Sequence, residues 1–205
     1  MHGNAHLGER HHRHGRVIET DDRYIQSRRC VLEPQPATSQ HASESNHVTD
    51  NPRVERVRRA LAGRGYAGEI RVFETATRTA AQAAQACGCE IGAIANSLVF
   101  RCDDRPLLIL TSGAHRVDVR YVQRQLGSGK LHRADAAFVL EHTGQVIGGV
   151  APLGHIERIP TILDMDLSQY PEIWAAAGHP NTVFRTNYDY LLSVTQATAM
   201  AVAQE

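Results

Sequence analysis

The chain has 205 residues, 42% of them hydrophobic and 21% charged, which is enough for one well-formed core and short for two. Its 22 basic and 22 acidic side chains cancel formally, so bulk electrostatics do not by themselves advertise a polyanionic partner. No run approaches the roughly 18 apolar residues of a membrane helix, and the polar start lacks the apolar core of a secretory leader; both point to a cytoplasmic protein with no membrane partner.

Residues 1–50 carry seven of the twelve histidines, followed by a Pro/Ser/Thr/Gln stretch from Glu33 to Asp50. Such a segment buries too little apolar surface to offset its chain entropy and reads as a disordered tail. From Asn51 the pattern changes, and residues 51–205 read as one domain. Val54, Val57, Ala60 and Leu61 recur at helical spacing before Gly63, predicting a first helix. Glu69 to Phe73 alternates as a strand does, and Thr77 or Thr79 caps an alanine-rich helix that stops at Gly88.

Ser97 to Cys102 and Pro106 to Thr111 are apolar runs joined by Asp103-Asp104-Arg105, the pattern of an antiparallel hairpin. Leu107 to Leu110 is apolar throughout, as a central strand covered on both faces would be. Asp118 and Asp135 cap two further helices, ending at Leu126 and Gly144. Val146 to Val150, Thr161 to Leu163, Glu172 to Ala176 and Thr182 to Arg185 read as short strands, and a closing helix starts near Asn187. Without strict βαβ alternation, the expected fold is α/β with a mixed, largely antiparallel sheet flanked by helices.

Cys30, Cys87, Cys89 and Cys102 read as reduced thiols, because a domain of this size needs no staples. Cys87-Gly88-Cys89 matches neither a zinc knuckle nor a redox pair, so no metal site and no cofactor is expected. Seven arginines between Asn51 and Arg78 face Glu55, Glu69 and Glu74, and a second basic run joins Arg116, Arg120, Arg124, Lys130 and Arg133. Each is either a solvated face or a surface that meets phosphates.

The sequence has no G-x-S-x-G elbow, H-E-x-x-H, Walker A or G-x-G-x-x-G. Its most unusual segment is Gly144-Gln-Val-Ile-Gly-Gly-Val-Ala-Pro-Leu-Gly154. Glycine admits close backbone approach and proline fixes loop shape, so the segment is either a structural turn or a cradle whose N–H groups hold a carbonyl oxygen.

Several landmarks then agree in order: Ile94-Ala-Asn-Ser-Leu-Val-Phe100, Leu108-Ile-Leu-Thr-Ser-Gly-Ala-His-Arg-Val-Asp118, Lys130-Leu-His-Arg-Ala-Asp135, Thr143 to Gly154, and Ala177-Gly178. Together they resemble the YbaK/prolyl-tRNA-synthetase-associated family of aminoacyl-tRNA deacylases over essentially all of residues 51–205. The resemblance implies hydrolysis of the ester of mischarged tRNA in trans. The tRNA 3′ end and an aminoacyl-tRNA synthetase are the implied partners. A second sieve of this kind is needed because a synthetase pocket rejects a near-isosteric amino acid by only about 1–3 kcal/mol.

The resemblance also implies positioning by Gly148, Gly149 and Pro152, with a substrate ribose hydroxyl assisting, and it places Asn96 and Ser97 at the reacting end. Phe73, Val99, Ala151, Ala176 and Gly178 are the implied pocket neighbours, Asp164 is a candidate for the substrate amine, and His179 is a candidate for orienting a hydroxyl or water, with His155 second. Many family members have lysine where this chain has Asn96, and Lys130 is its sole lysine. A neutral amide there favours a rival reading: a non-catalytic module that binds aminoacyl-tRNA or a synthetase. A thiol- or metal-dependent hydrolase is a third reading, requiring Cys87, Cys89 or Cys102 beside a histidine.

Overall fold

Asn51 and Pro52 open the first element: the Asn51 side chain accepts a hydrogen bond from the Arg53 amide and Pro52 sits at the helix start, where its missing N–H is no loss. The computed structural model describes residues 48, 50–77, 79–127 and 129–204; the expected disordered tail and Cys30 fall outside them, Val48 and Asp50 apart. The helices are α1 (Pro52–Ala62), α2 (Ala80–Cys87), α3 (Val119–Leu126), α4 (Ala136–Thr143) and α5 (Tyr188–Thr195). The strands are β1 (Ile70–Val72), β2 (Ile94–Cys102), β3 (Arg105–Ser112), β4 (Leu131–Arg133), β5 (Thr161–Asp164), β6 (Ile173–Ala176), β7 (Thr182–Thr186) and β8 (Thr198–Met200). Thr79, Asp118, Asp135 and Asn187 cap α2 to α5 by accepting from amides in the first turn, as their residue types predict.

The strands form one mixed sheet in the order β1-β7-β6-β2-β3-β5-β8, with β4 also on β2. Pairings β1–β7, β2–β3, β2–β4 and β6–β7 are antiparallel, and β2–β6, β3–β5 and β5–β8 are parallel. The hairpin is present with longer arms, running from Ala95↔Ser112 to Cys102↔Arg105. Asp103 and Asp104 both adopt positive φ, 44° and 64°, which suits a two-residue hairpin turn.

β3 is central, as its unbroken apolar run implies. Leu108 and Leu110 join Val57, Leu61, Phe138, Val139 and Leu191 on one face, whereas Leu107 and Ile109 join Phe100, Val122 and Ile162 on the other. A third cluster sets Ala83 and Ala84 of α2 against Ile94, Trp174 and Val183. Helices therefore cover both faces, and the glycine loop lies on the α1/α4/α5 side through Val150, Ala151 and Leu153.

Two expectations need correcting. Residues Val146 to Val150 are not a strand but a turn, in which the Gly149 amide donates to the Val146 carbonyl and Gly148 sits at φ 88°. β4 and β8 went unforeseen, because three residues are too few for an alternation signal to stand above chance.

Candidate active site

The candidate site lies where the sheet opens. Among the described residues β2 pairs with β6 only through Ile94 and Ala95 and with β4 only from Phe100 onward. From Asn96 to Val99 it has β3 on one side and no strand on the other. A cavity of about 200 Å³ occupies that gap, bounded by Asn96, Ser97, Arg133, Gly148 and Ala176 among others. Its far wall is apolar, made by Ala80, Ala83, Ile94, Trp174 and Val183.

The polar groups of this cavity are held ready rather than consumed. No partner for the exposed Asn96 amide occurs among the described residues, and the Ser97 hydroxyl is buried without one. Buried hydroxyls are nearly always bonded, so an orphan here marks a place for a ligand atom or water. The backbone amides of Gly148 and Val150 also have no acceptor among the described residues, and both residues line the cavity.

Gln145, which the sequence reading passed over, organises this loop. Fully buried, it accepts from the Ala151 amide at 2.6 Å and donates to the carbonyls of Leu153 at 3.3 Å and Gly154 at 3.2 Å. Its own amide donates to the Thr143 hydroxyl. Its signal was present: a lone amide side chain inside an otherwise apolar, glycine-rich run. Opposite, a Cβ on Gly149 would stand 2.7 Å from the backbone carbon of His179, so only glycine lets the two loops meet. The Thr77 hydroxyl donates to the Pro180 carbonyl, and His179 and Thr182 bond one another through main chain and hydroxyl.

The structure brings Asn96, Ser97, Gly148 and Ala176 to one cavity and places the other candidates behind or beside it. Gly149, Gly178 and His179 form supporting loop contacts. Ala151 is fully buried against Gln145, and Val99 is core, packed on the same face of β2 as Ala95, and does not line the cavity. Phe73 is half-buried against the cluster of Ala83, Ala84, Ile94, Trp174 and Val183 and does not itself line the cavity. Pro152 and His155 border a separate groove on the outer side of the loop.

Asp164 is a clear correction as an amine ligand, since its carboxylate is already committed. It accepts from the Ser112 amide at 3.0 Å and the Thr111 hydroxyl at 3.2 Å, and it faces His115 Nδ1 at 3.0 Å. His115 Nε2 meets Asp166 at 2.9 Å. These three side chains are the one group among the described residues that offers a metal clustered His and carboxylate atoms. As found, both ring nitrogens are already engaged by carboxylates, which makes the group a clamp between the ends of β3 and β5.

Burial pushes His155 below the usual histidine value of 6.5, against an opposing hydrogen bond to the Ala151 carbonyl. Burial, and then the charge of Arg53, lower His179 as well. His179 Nδ1 accepts from the Asn181 amide, so the proton of the neutral ring is on Nε2. Burial drives the Cys87 thiol up to about 11 and raises Cys89; neither is a ready thiolate. Cys87, Cys89 and Cys102 are free and none lines the cavity, which removes the ground for a thiol hydrolase.

Arg133, noted in the sequence only as part of a basic run, also lines the cavity. It comes from β4, directly across from Phe100, and is the one charged side chain among the described residues that line the cavity. Only the unforeseen strand β4 carries it there.

Residues 74–194 match the family described as the aminoacyl-tRNA editing domain, and the chain belongs to that family. It is 33% identical over 115 residues to the uncharacterized protein YwhH of Bacillus subtilis, covering 56% of this chain and 73% of that one. It is 27% identical over 137 residues to a proline–tRNA ligase of Thermosipho melanesiensis, covering 62% of this chain and 23% of the ligase. A solved structure described as a candidate trans-editing enzyme for prolyl tRNA synthetase superposes with a TM-score of 0.71 at 41% identity, covering 75% of this chain and 98% of that one. No helix among the described residues is long and apolar enough to cross a membrane.

Proposed function

We propose that this chain is a freestanding aminoacyl-tRNA deacylase that hydrolyses the ester of mischarged tRNA in trans. The observation that carries the reading is the cavity at the gap beside β2, lined by an Asn96 amide with no partner among the described residues, an orphaned Ser97 hydroxyl, and Gly148 and Val150 of the glycine turn, whose amides have no acceptor among the described residues. Family membership supports it, and so does the solved relative described as a candidate trans-editing enzyme.

An aminoacyl ester is already activated, so orientation and a polar cradle suffice without a protein nucleophile. In this reading the apolar wall takes the amino-acid side chain. At about 200 Å³ the cavity is below the roughly 300–1,000 Å³ of drug-sized sites, which favours a small, uncharged side chain. Water adds to the ester carbonyl, assisted by the substrate's free ribose hydroxyl, and the amides of Gly148 and Val150 receive the developing oxyanion. Collapse of the tetrahedral intermediate breaks the ester bond, and the departing ribose oxygen takes a proton to leave as hydroxyl.

Ser97 holds the attacking water or the substrate amine, Asn96 hydrogen bonds near the ester, and Arg133 supplies the fixed positive charge for which many relatives use lysine. Gly149, Pro152 and His179 act by setting the loop. Residues 51–205 form the working domain, and the synthetase is the implied supplier of substrate. Release of labelled amino acid from a panel of charged tRNAs, beside Asn96→Lys and Arg133→Gln variants, tests the reading. Expected is hydrolysis of at least one mischarged species well above the spontaneous rate, lost in Arg133→Gln. A wild-type chain that binds aminoacyl-tRNA and hydrolyses none of the panel establishes the rival instead: the binding module that Asn96 alone favours.

A further inference from the structure

On the outer side of the glycine loop lies a groove of about 730 Å³ that the deacylation chemistry does not use. Its lining includes Arg56, Arg64 and Arg158 against one carboxylate, Glu157, and Glu157 is held by His142 Nδ1 at 2.7 Å. The arginines of α1 and of the groove divide into two sets. Arg58 and Arg59 are paired with Glu55, at 2.6 and 2.8 Å. Arg53 and Arg56 have no side-chain partner among the described residues, Arg64 donates to the Ala60 carbonyl, and Arg158 donates to the Gln196 side-chain oxygen. Neutral acceptors leave a guanidinium charge uncompensated.

The uncompensated set is aligned. Arg53, Arg56 and Ala60 follow one another at three- and four-residue steps, the spacing of a single helix face, over about 10 Å of helix rise, and Arg64 follows in the turn just past the end of α1. The row begins behind the loops that back the cavity: the Arg53 backbone packs against Gly178, where a Cβ would stand 2.8 Å from its carbonyl oxygen, and the charge of Arg53 reaches His179, whose backbone abuts Gly149. It then passes the start of the loop, where the Arg56 guanidinium lies against Gly144, and ends in the groove. One loop thus has the ester cavity on its inner side and a cationic track on its outer side.

We infer that Arg53, Arg56, Arg64 and Arg158 seat the phosphodiester backbone of the RNA whose 3′ end enters the cavity. The identity of that RNA rests on the deacylase reading; the anion preference rests on the arginines. A polyanion that ends in the cavity finds further fixed charges along α1, and their partners are phosphates because no carboxylate among the described residues pairs with them. The track positions substrate and touches no reacting atom.

The test is anisotropy of fluorescently labelled, uncharged tRNA with the full chain across a salt series. Arg56→Ala/Arg64→Ala/Arg158→Ala is compared with a charge-matched control, Arg105→Ala/Arg120→Ala/Arg124→Ala, whose arginines are exposed and outside the groove. The track variant should bind about tenfold or more weakly at low salt, with a log–log salt slope shallower by about 2 to 3, since each lost phosphate contact removes about 0.7–0.9. The control should keep its slope. Equal loss in both variants makes the effect bulk charge and overturns the assignment, as does an unchanged slope in the track variant. Groove-dependent binding of polyglutamate, with tRNA unaffected by the substitutions, assigns the track to an acidic protein and also overturns it. Hydrolysis of a short aminoacylated CCA oligonucleotide, too small to reach the groove, should match wild type in the track variant. If no chain hydrolyses it, the deacylase reading fails while the tRNA binding series still decides the track.

Discussion

Replacing Gln145 by alanine strips partners from three backbone groups at once. The Ala151 amide loses a 2.6 Å acceptor inside a fully buried site, at about 2 kcal/mol for an orphaned buried donor. The Leu153 carbonyl, on a residue only 5% exposed, loses a 3.3 Å donor and adds about 1 kcal/mol. Gly154 is less buried, so water replaces its bond at little cost. The sum is about 3 kcal/mol, inside the usual 5–15 kcal/mol of a domain, so the variant folds with a loosened loop. Urea unfolding should show a midpoint lower by about 1–3 M, taking 1–3 kcal/mol/M as the slope. Amide exchange at Ala151 should accelerate out of proportion to the global change. A midpoint within a few tenths molar of wild type, with Ala151 exchange unaltered, would refute Gln145 as the organiser of the loop.

Gly149→Ala should lower kcat about a hundredfold, because a Cβ 2.7 Å from the His179 backbone must drive the two loops apart and misplacement near 1 Å has that effect; single-turnover deacylation checks it, and a kcat within twofold of wild type would contradict it. Ser97→Ala removes an orphaned buried hydroxyl, so thermal stability should hold or rise slightly while deacylation falls by about tenfold or more; a loss of both would make Ser97 structural. His155 and His179 both sit below 6.5 in the fold, so below that value the unfolded chain binds more protons. Their contribution to stability is complete above about pH 6.5 and is lost as pH falls through the folded values. Urea midpoints from about pH 8 to 5 should therefore decline on the acid side, less steeply in a His155→Gln/His179→Gln double variant.

Local chemistry made much of this chain legible from its sequence. Asn51, Thr79, Asp118, Asp135 and Asn187 announce helix starts because a short polar side chain satisfies amides within its own turn. The unbroken run Leu107 to Leu110 announces a strand covered on both faces. Asn96, Ser97 and Gly148 were implied by the family resemblance rather than by local chemistry, and all three line one cavity.

What only the tertiary structure decided depends on partners distant in the chain. Arg133 reaches the cavity because a three-residue strand pairs with Phe100 to Cys102, a register that no periodicity in Leu131 to Arg133 encodes. Asp164 was drawn off to Ser112, Thr111 and His115, and Val99 was covered by the core cluster it joins. The same holds for the arginines of α1: their number is plain in the sequence, but which are spent on Glu55 and which remain free beside the glycine loop follows from the packing of helix on loop. Charge is a property of residues, whereas an uncompensated charge in a groove is a property of the fold.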